Sequence, residues 1–454
     1  MESFPSSSFL LSTVSLLRRK DRRGISYLVE TPIAWVAAIF LASYLALGFI
    51  FATKFHWTRL IFCLGKGNVK EASWNVPITT TTRSSGKDGV TALDELEKLL
   101  VSLAEKKDGK DFHKLNDQEL TSLIRSNVEA RRLASVVMLQ LSKLVKKSEL
   151  KPSSQILLSR MKEIWLELLA LPSMNDREYP FDVSLIVPAY KEKGSIIKSN
   201  LLRALKSCHA PEKIQLVLVD AGQNTDIEDA AEFQGDSAKW GNIKLMRFTT
   251  GGGRGPCLNF GADHADGKIV TFLHSDNILP DDWDTKVKDC FLEPSLSSSI
   301  PITCAFSFKI DTSNEALDGE ACARGLAAAQ WLGTVRTTYF RVLYGDSVLS
   351  MPASYFRYMG GYPPNQALME DYEVMDLLRK RVLYLEGERV YIDPSETLIS
   401  PRRWQQNGVT YVTLFNCLCV YLYQNRGWSP EKLYQFYYRR PASPSAEDSS
   451  SSTK

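Results

Sequence analysis

Lys268-Ile-Val-Thr-Phe-Leu-His-Ser-Asp-Asn277 joins an apolar run to a polar turn. An unbroken apolar run of this length suits a strand buried on both faces of a parallel sheet. It leaves the carboxylate of Asp276 just beyond the strand's carboxyl end, where open α/β sheets bind their ligands. Upstream, Val183-Ser-Leu-Ile-Val187 reads as a second buried strand, stopped by Pro188. Ile214-Gln-Leu-Val-Leu-Val219 is another, ending on Asp220, and Ile243 to Phe248 a further one. Helical patterns over Gly194–Cys208 and Asp226–Lys239 separate them. The Gly-rich turn Gly251-Gly-Gly-Arg-Gly255 leads into a helix with Pro256 in its first turn. Strands alternating with helices predict an α/β fold, a mainly parallel sheet flanked by helices with right-handed crossovers.

Three strand ends then converge on one edge of the sheet. They carry Pro188-Ala-Tyr-Lys-Glu192, Asp220 and Asp276. Acidic groups placed there accept hydrogen bonds from a base and a ribose, and the last can hold a divalent cation. Farther along, Met369-Glu370-Asp371-Tyr372 suits proton abstraction. Together these features point to a metal-dependent group transferase acting on a nucleotide-activated substrate.

The remaining sequence frames that body. The chain has 454 residues, room for two or three structural units, with ordinary charged and apolar fractions and a formal net charge of +3. No face-wide basic cluster argues for nucleic acid. Eight scattered cysteines, none at zinc-site spacing, are read as buried or free thiols. Pro32–Ala52 carries no charge, and about 21 residues at ~1.5 Å rise are enough to cross a bilayer. Arg18-Arg-Lys-Asp-Arg-Arg23 precedes it, so the basic bias places residues 1–31 in the cytoplasm and the rest on the far side. A competing reading makes the Ser- and Arg-rich first 25 residues an organelle transit peptide. Residues 53–180 read as a linker, Thr/Ser/Gly-rich over 67–90, followed by helices. Leucines from Leu93 to Leu103 have helical spacing, and Asn116 with Glu119 predicts a capped helix start. Val409 to Tyr423 is apolar but carries Asn416 and is shorter than a span, so it is expected to lie on the catalytic body or the membrane surface. Residues 441–454 are expected to be a disordered tail.

On these motifs, the segment from Val183 to about Arg439 resembles a family 2 glycosyltransferase of the GT-A, nucleotide-diphospho-sugar transferase fold. It is most similar to a bacterial-type branch in which Asp-x-Asp becomes His-x-Asp. The resemblance makes residues 181–440 the catalytic domain, after a transmembrane helix and a helical spacer. It implies that Pro188, Glu192 and Asp220 grip the nucleotide, and that Arg254 and Asn259 face the donor. His274 and Asp276 fall on its metal and pyrophosphate motif, and Glu370-Asp371 on its catalytic acids. Tyr344-Gly-Asp346 and Arg402-Arg-Trp404 also match this branch. Lys191 stands where the family usually has Asn, and the loop after Asp220 is one residue longer than the common form.

The implied reaction is an inverting displacement at the anomeric carbon of a nucleotide-sugar donor. Asp371 would be the base, Glu370 would position it or touch the acceptor, and Arg254 or Arg403 would meet the departing diphosphate. The expected cofactor is Mn²⁺ or Mg²⁺ through Asp276, with His274 favouring Mn²⁺. The acceptor is a glycan, a lipid or a small molecule. The expected location is a single-pass type II membrane protein of the Golgi or ER, with an organelle membrane as the alternative. Two other functions compete. One is a catalytically inactive sugar-nucleotide-binding membrane protein. The other is a nucleotidyltransferase, against which Ala189-Tyr-Lys-Glu192 argues because it is no Gly-rich loop.

Overall fold

The computed structural model describes residues 36 and 39 and most of 89–438. It leaves out 109–110, 128–129, 131–150 apart from 133, 134 and 137, 165–170, 176, 191–193, 223–241, 250–252, 293–299, 313–319, 339–340, 364–365, 385–387 and 427. Glu192, the helix predicted over Asp226–Lys239, the linker before residue 89 and the tail therefore lie outside the described residues. So does the predicted span, except Val36 and Ile39, which are helical and exposed. Among the described residues, no helix is long and apolar enough to cross a membrane.

Among the helices whose bounds are described, α1 (Gly89–Asp108), α2 (Asp117–Ser126) and α3 (Pro152–Glu163) come first. They bury a core of their own around Leu93, Leu96, Leu120, Ile124, Leu157 and Met161. The start of α2 is the reciprocal cap expected from sequence. Glu119 N donates to Asn116 Oδ1 and Asn116 N to Glu119 Oε2, both at 2.9 Å. Arg160 on α3 reaches back to the Leu115 carbonyl and to Asp117, tying α3 to the start of α2.

The α/β body follows in the order β1 (Phe181–Ala189), α4 (Gly194–Lys206), β2 (Ile214–Asp220), β3 (Asn242–Arg247), α5 (Arg254–Asp263), β4 (Gly267–Phe272) and α6 (Trp283–Leu292). Next come β5 (Ile300–Ile310), α7 (Glu320–Thr338), β6 (Ser350–Pro352), α8 (Ala353–Tyr358), α9 (Glu370–Tyr384) and β7 (Glu388–Ile399). Three helices close the described chain: α10 (Arg402–Asn407), α11 (Val409–Arg426) and α12 (Pro430–Tyr438). The sheet order is β3-β2-β1-β4-β6-β5-β7. β3, β2, β1 and β4 run parallel, β6 is antiparallel to both neighbours, and β5 pairs β7 in parallel. This is the mostly parallel, helix-flanked sheet expected from sequence.

Three strands beyond His274 are not predicted from sequence. β6 is too short to show a period. β7 contains Pro394, which reads as a turn; the register slips there, from Phe306 opposite Asp393 to Ser307 opposite Glu396. β7 lies at the sheet edge, where proline is tolerated.

Strand geometry sends successive side chains to opposite faces, and here both faces are covered. Leu185, Val187, Leu216 and Leu218 pack under α4 and Trp283. Ile186, Val217 and Val219 face α5, α8 and α9. α11 lies against the body, with Val412, Phe415, Leu418 and Leu422 packed beside Tyr372 and Leu433. Its apolar length is thus spent on protein contact.

Close approach of α5 to the sheet depends on Gly261. A Cβ there would sit 2.6 Å from Ile186 Cγ2 and 2.9 Å from Val219 Cγ2. Both neighbours are β-branched core side chains with little freedom to move. Gly261→Ala is expected to destabilise by about 1–3 kcal/mol through overpacking, despite alanine's better helix propensity. Urea unfolding monitored by circular dichroism measures it. The double variant with Ile186→Ala should recover part of the loss; additive losses would show that α5 is not in steric contact at this point.

Candidate active site

Parallel pairing aligns the strand ends that carry the expected site. Ala189 lies opposite Asp220, Asp220 opposite Arg247, and Ile186 opposite Phe272. Pro188 is in the last turn-out of β1, and Asp220 is buried at the end of β2, its Oδ1 accepting from Gly222 N at 3.0 Å. Beyond β4, Leu273 N still bonds Ile186 O, and Asn277 N then turns back to His274 O at 3.1 Å. That turn is held from two sides. Asn200 of α4 donates to Ser275 O at 2.7 Å, and Asn277 Nδ2 donates to Asp346 O at 3.2 Å. Asp276 Oδ2 lies 3.5 Å from Arg402, at the start of α10.

Arg254, the first residue of α5, stands at the centre. Its Nε donates to Glu370 Oε1 at 2.6 Å and its Nη2 to Asp371 Oδ2. Its Nη1 lies 2.6 Å from His274 Nε2. Burial pushes the guanidinium pKa down, but Asp371 and Glu370 outweigh it and raise it. Burial first, and then the Arg254 charge, push His274 down to about 3. The imidazole is therefore neutral near pH 7 and accepts from Arg254 through Nε2, which leaves its proton on Nδ1. Gly345 packs against the same nitrogen, where a Cβ would come within 2.1 Å.

Glu370 and Asp371 open α9, where acidic groups suit the helix dipole. Glu370 is raised by burial, opposed by Arg254 and reinforced by Asp371. Asp371 Oδ2 accepts a second bond, from Gly345 N at 3.0 Å. Among the described residues nothing donates to Oδ1. The Gly345–Ser347 turn that supplies this N–H is fixed by Arg336, which bonds both Asp346 oxygens at 3.0 and 3.2 Å and lies 4.2 Å over the Tyr344 ring. Met369, just before the acids, has φ 73, a left-handed conformation that costs a non-glycine residue roughly 1–3 kcal/mol. The chain thus enters α9 under strain, at the point that aims the acids.

Asn259 does not point into this cluster. Its amide bonds Tyr362 O at 2.7 Å and Tyr362 N at 2.8 Å, and so ties α5 to the Gly360-Gly361 turn. Gly361 has φ 65, and a Cβ there would meet Asn259 Oδ1 at 2.5 Å. Arg403 stacks 4.0 Å over Tyr437. The structure therefore brings Arg254, His274, Glu370 and Asp371 together, sets Asp276 beside Arg402, and leaves Asn259 and Arg403 in supporting positions. Sequence reasoning missed the Arg254 contact with both acids, the Gly345 N–H and Arg336. Among the described residues, no group of three or more His, Cys, Asp or Glu side chains is arranged to hold a metal ion.

Compared with known proteins, the chain is similar in structure to S. aureus TarS in complex with UDP-GlcNAc, at 14% identity and a TM-score of 0.35, over 57% of this chain and 72% of that one. It is also similar to the mannosyltransferase PcManGT from Pyrobaculum calidifontis in complex with GDP-Man and Mn²⁺, at 15% identity and a TM-score of 0.36, over 70% and 81% of the two chains. No curated protein matches the sequence. Residues 184–314, from β1 through β5 and including His274 and Asp276, match the family model of glycosyl transferase family 2.

Proposed function

We propose that this protein is an inverting glycosyltransferase that moves a sugar from a nucleotide-sugar donor to an acceptor hydroxyl. The observation that carries this reading is Asp371. One of its oxygens is pinned by Arg254 and the Gly345 N–H, and the other receives no bond among the described residues. That is the geometry of a carboxylate oriented to take a proton through one oxygen. The family match over residues 184–314 supports a nucleotide-sugar donor on the neighbouring strand ends. Asp220 and Glu192 are assigned to the nucleotide.

The residues present fit a divalent cation through Asp276 alone. A single carboxylate suits Mg²⁺ or Mn²⁺ completed by donor phosphate oxygens and water. When bound, such an ion supplies positive charge to the leaving diphosphate. His274 is assigned to Arg254 instead, since its Nε2 already faces the guanidinium and Gly345. Arg254 keeps Glu370 and Asp371 charge-compensated before reaction and links the acids to the His274 turn. Asp371 accepts the acceptor proton. Glu370, buried and fully engaged with Arg254, positions that guanidinium. One base with no covalent nucleophile implies inversion.

We further propose that residues 32–52 anchor the protein with residues 1–31 in the cytoplasm and the catalytic body in an endomembrane lumen. The charge-free run and the preceding basic cluster support it.

Asp371→Asn is expected to lower kcat by ~10²–10⁴-fold with donor KM little changed, because the amide keeps the shape and removes the basic site. Steady-state kinetics with UDP- and GDP-sugars in turn tests this, and near-normal turnover would falsify the base assignment and favour a non-enzymatic sugar-nucleotide-binding protein. Asp276→Ala should abolish the Mn²⁺-dependent part of nucleotide affinity in calorimetric titration; an unchanged metal dependence removes Asp276 from the cation site. On sealed microsomes, protease should digest an N-terminal tag and spare a C-terminal one. The opposite pattern reverses the orientation, and an N-terminus shortened by processing identifies an organelle transit peptide.

A further inference from the structure

α12 ends on an aromatic cluster that the proposed chemistry does not use. Tyr434 and Tyr438 are one turn apart, with ring centroids at 4.7 Å, and Tyr437 meets Tyr438 edge to face at 4.8 Å. Tyr437 is the anchored member. Its ring lies under Arg403 at 4.0 Å and beside Phe415 at 5.6 Å, and its hydroxyl reaches Asn416 Oδ1 at 3.3 Å. Tyr438 is braced by both neighbouring rings yet remains 49% exposed, one of few large apolar side chains so exposed among the described residues.

Its position makes that exposure informative. Partial burial raises the Tyr438 phenol, Arg254 and Arg403 oppose this, and Glu370 reinforces it. Arg403, stacked on Tyr437, connects this cluster to the candidate site, because the adjacent Arg402 lies 3.5 Å from Asp276. A braced, exposed ring beside a guanidinium has a specific partner chemistry. A pyranose offers C–H groups on its face and hydroxyls around its edge, which matches an exposed aromatic face beside Arg403. A lipid chain needs a continuous apolar surface instead, and here the guanidinium interrupts it. Aromatic side chains of this kind give large contact area at small entropic cost, with a polar tip for hydrogen bonding.

We infer that Tyr438, braced by Tyr434 and Tyr437, is the stacking platform for a saccharide acceptor, so that the hydroxyl to be glycosylated belongs to a sugar. This rests on the transferase reading above, which supplies the donor. The acceptor sugar lies on the Tyr438 ring and presents a hydroxyl toward Asp371.

The test uses the full chain in detergent with two separate readouts. The first is saturation-transfer NMR with maltopentaose, cellopentaose, xylopentaose, mannopentaose and chitopentaose as probes. The second is the melting-temperature shift produced by UDP or GDP with Mn²⁺, which reads nucleotide binding by mass action. At least one pentaose should bind saturably to the wild type. Tyr438→Ala should weaken that binding about tenfold or more, while Tyr438→Phe keeps it within about twofold, because stacking needs the ring and not the hydroxyl. The nucleotide shift should be the same in all three proteins, which also shows that the variants fold. If nucleotide binds but no pentaose does, or if Tyr438→Ala binds the pentaose normally, the platform is wrong and the transferase reading stands. Loss of binding to phosphatidylcholine vesicles in Tyr438→Ala, with no pentaose bound by any of the proteins, identifies a lipid surface and likewise overturns the proposal. Absence of any nucleotide shift in the wild type overturns the transferase reading and the proposal with it.

Discussion

Arg254 bonds Glu370 and Asp371 across more than a hundred residues of sequence and reaches His274 at the end of β4 in the same plane of contacts. The arrangement at this edge of the sheet depends on that guanidinium. Two adjacent carboxylates with low exposure repel each other and lose solvation, so they stay together only if a cation compensates both. Removing one partner of such a group leaves an uncompensated charge, which typically costs about 3–5 kcal/mol when burial is complete. With 36% of the Arg254 side chain exposed, water lessens that cost here. The same contact carries a functional consequence. Arg254 and the Gly345 N–H both occupy Asp371 Oδ2, so the arrangement that stabilises the acid also selects which of its oxygens is left for another partner.

The backbone around this cluster is organised to hold Arg254 in place. Gly261 lets α5 lie directly on Ile186 and Val219, and Asn259 bonds both main-chain groups of Tyr362. α5 is thereby fixed on one side to the sheet and on another to the Gly360-Gly361 turn. The strain at Met369 is compatible with this, because the helices on either side leave the connecting chain little choice of direction. At the amino ends of β2 and β4 a different device operates. Ser184, Gln215 and Asp266 form a mainly neutral hydrogen-bond chain that closes on Gly267 N. Stability there comes from satisfied polar groups, with the Asp266 carboxylate 3.9 Å from Lys244 Nζ.

The N-terminal helices contribute differently. Their leucine core is separate from the cores of the α/β body, and Arg125 lies 5.9 Å over the Tyr358 ring of α8. That contact is a single cation–π interaction, worth about 0.5–1 kcal/mol when exposed. At the other end of the chain, α11 and α12 pack on the body through Phe415, Leu422 and Leu433 and bring the tyrosines of α12 beside Arg403.

Sequence by itself determined the parallel half of the sheet. The apolar runs ending at Pro188, Asp220 and His274 needed only local patterning to be read, and β1, β2 and β4 lie on them. The cap formed by Asn116 and Glu119 was legible for the same reason, since its partners are three residues apart. The far half of the sheet was not, because Pro394 disguises β7 and β6 has only three residues. The candidate site divides along the same line. Asp276 was assigned to it from its position beyond a strand end, and Glu370 and Asp371 from the family resemblance, as acids that open a helix. Sequence left Arg254 and Arg403 equally suitable by type as the cation for a departing diphosphate, and did not reveal that Arg254 lies against the acids. Their roles are set by which helix each starts from and by what packs beside it: Glu370, Asp371 and His274 for one, the Tyr437 ring for the other. Contacts between residues more than a hundred positions apart arise from the packing of α5 against α9, and no local pattern encodes that distance.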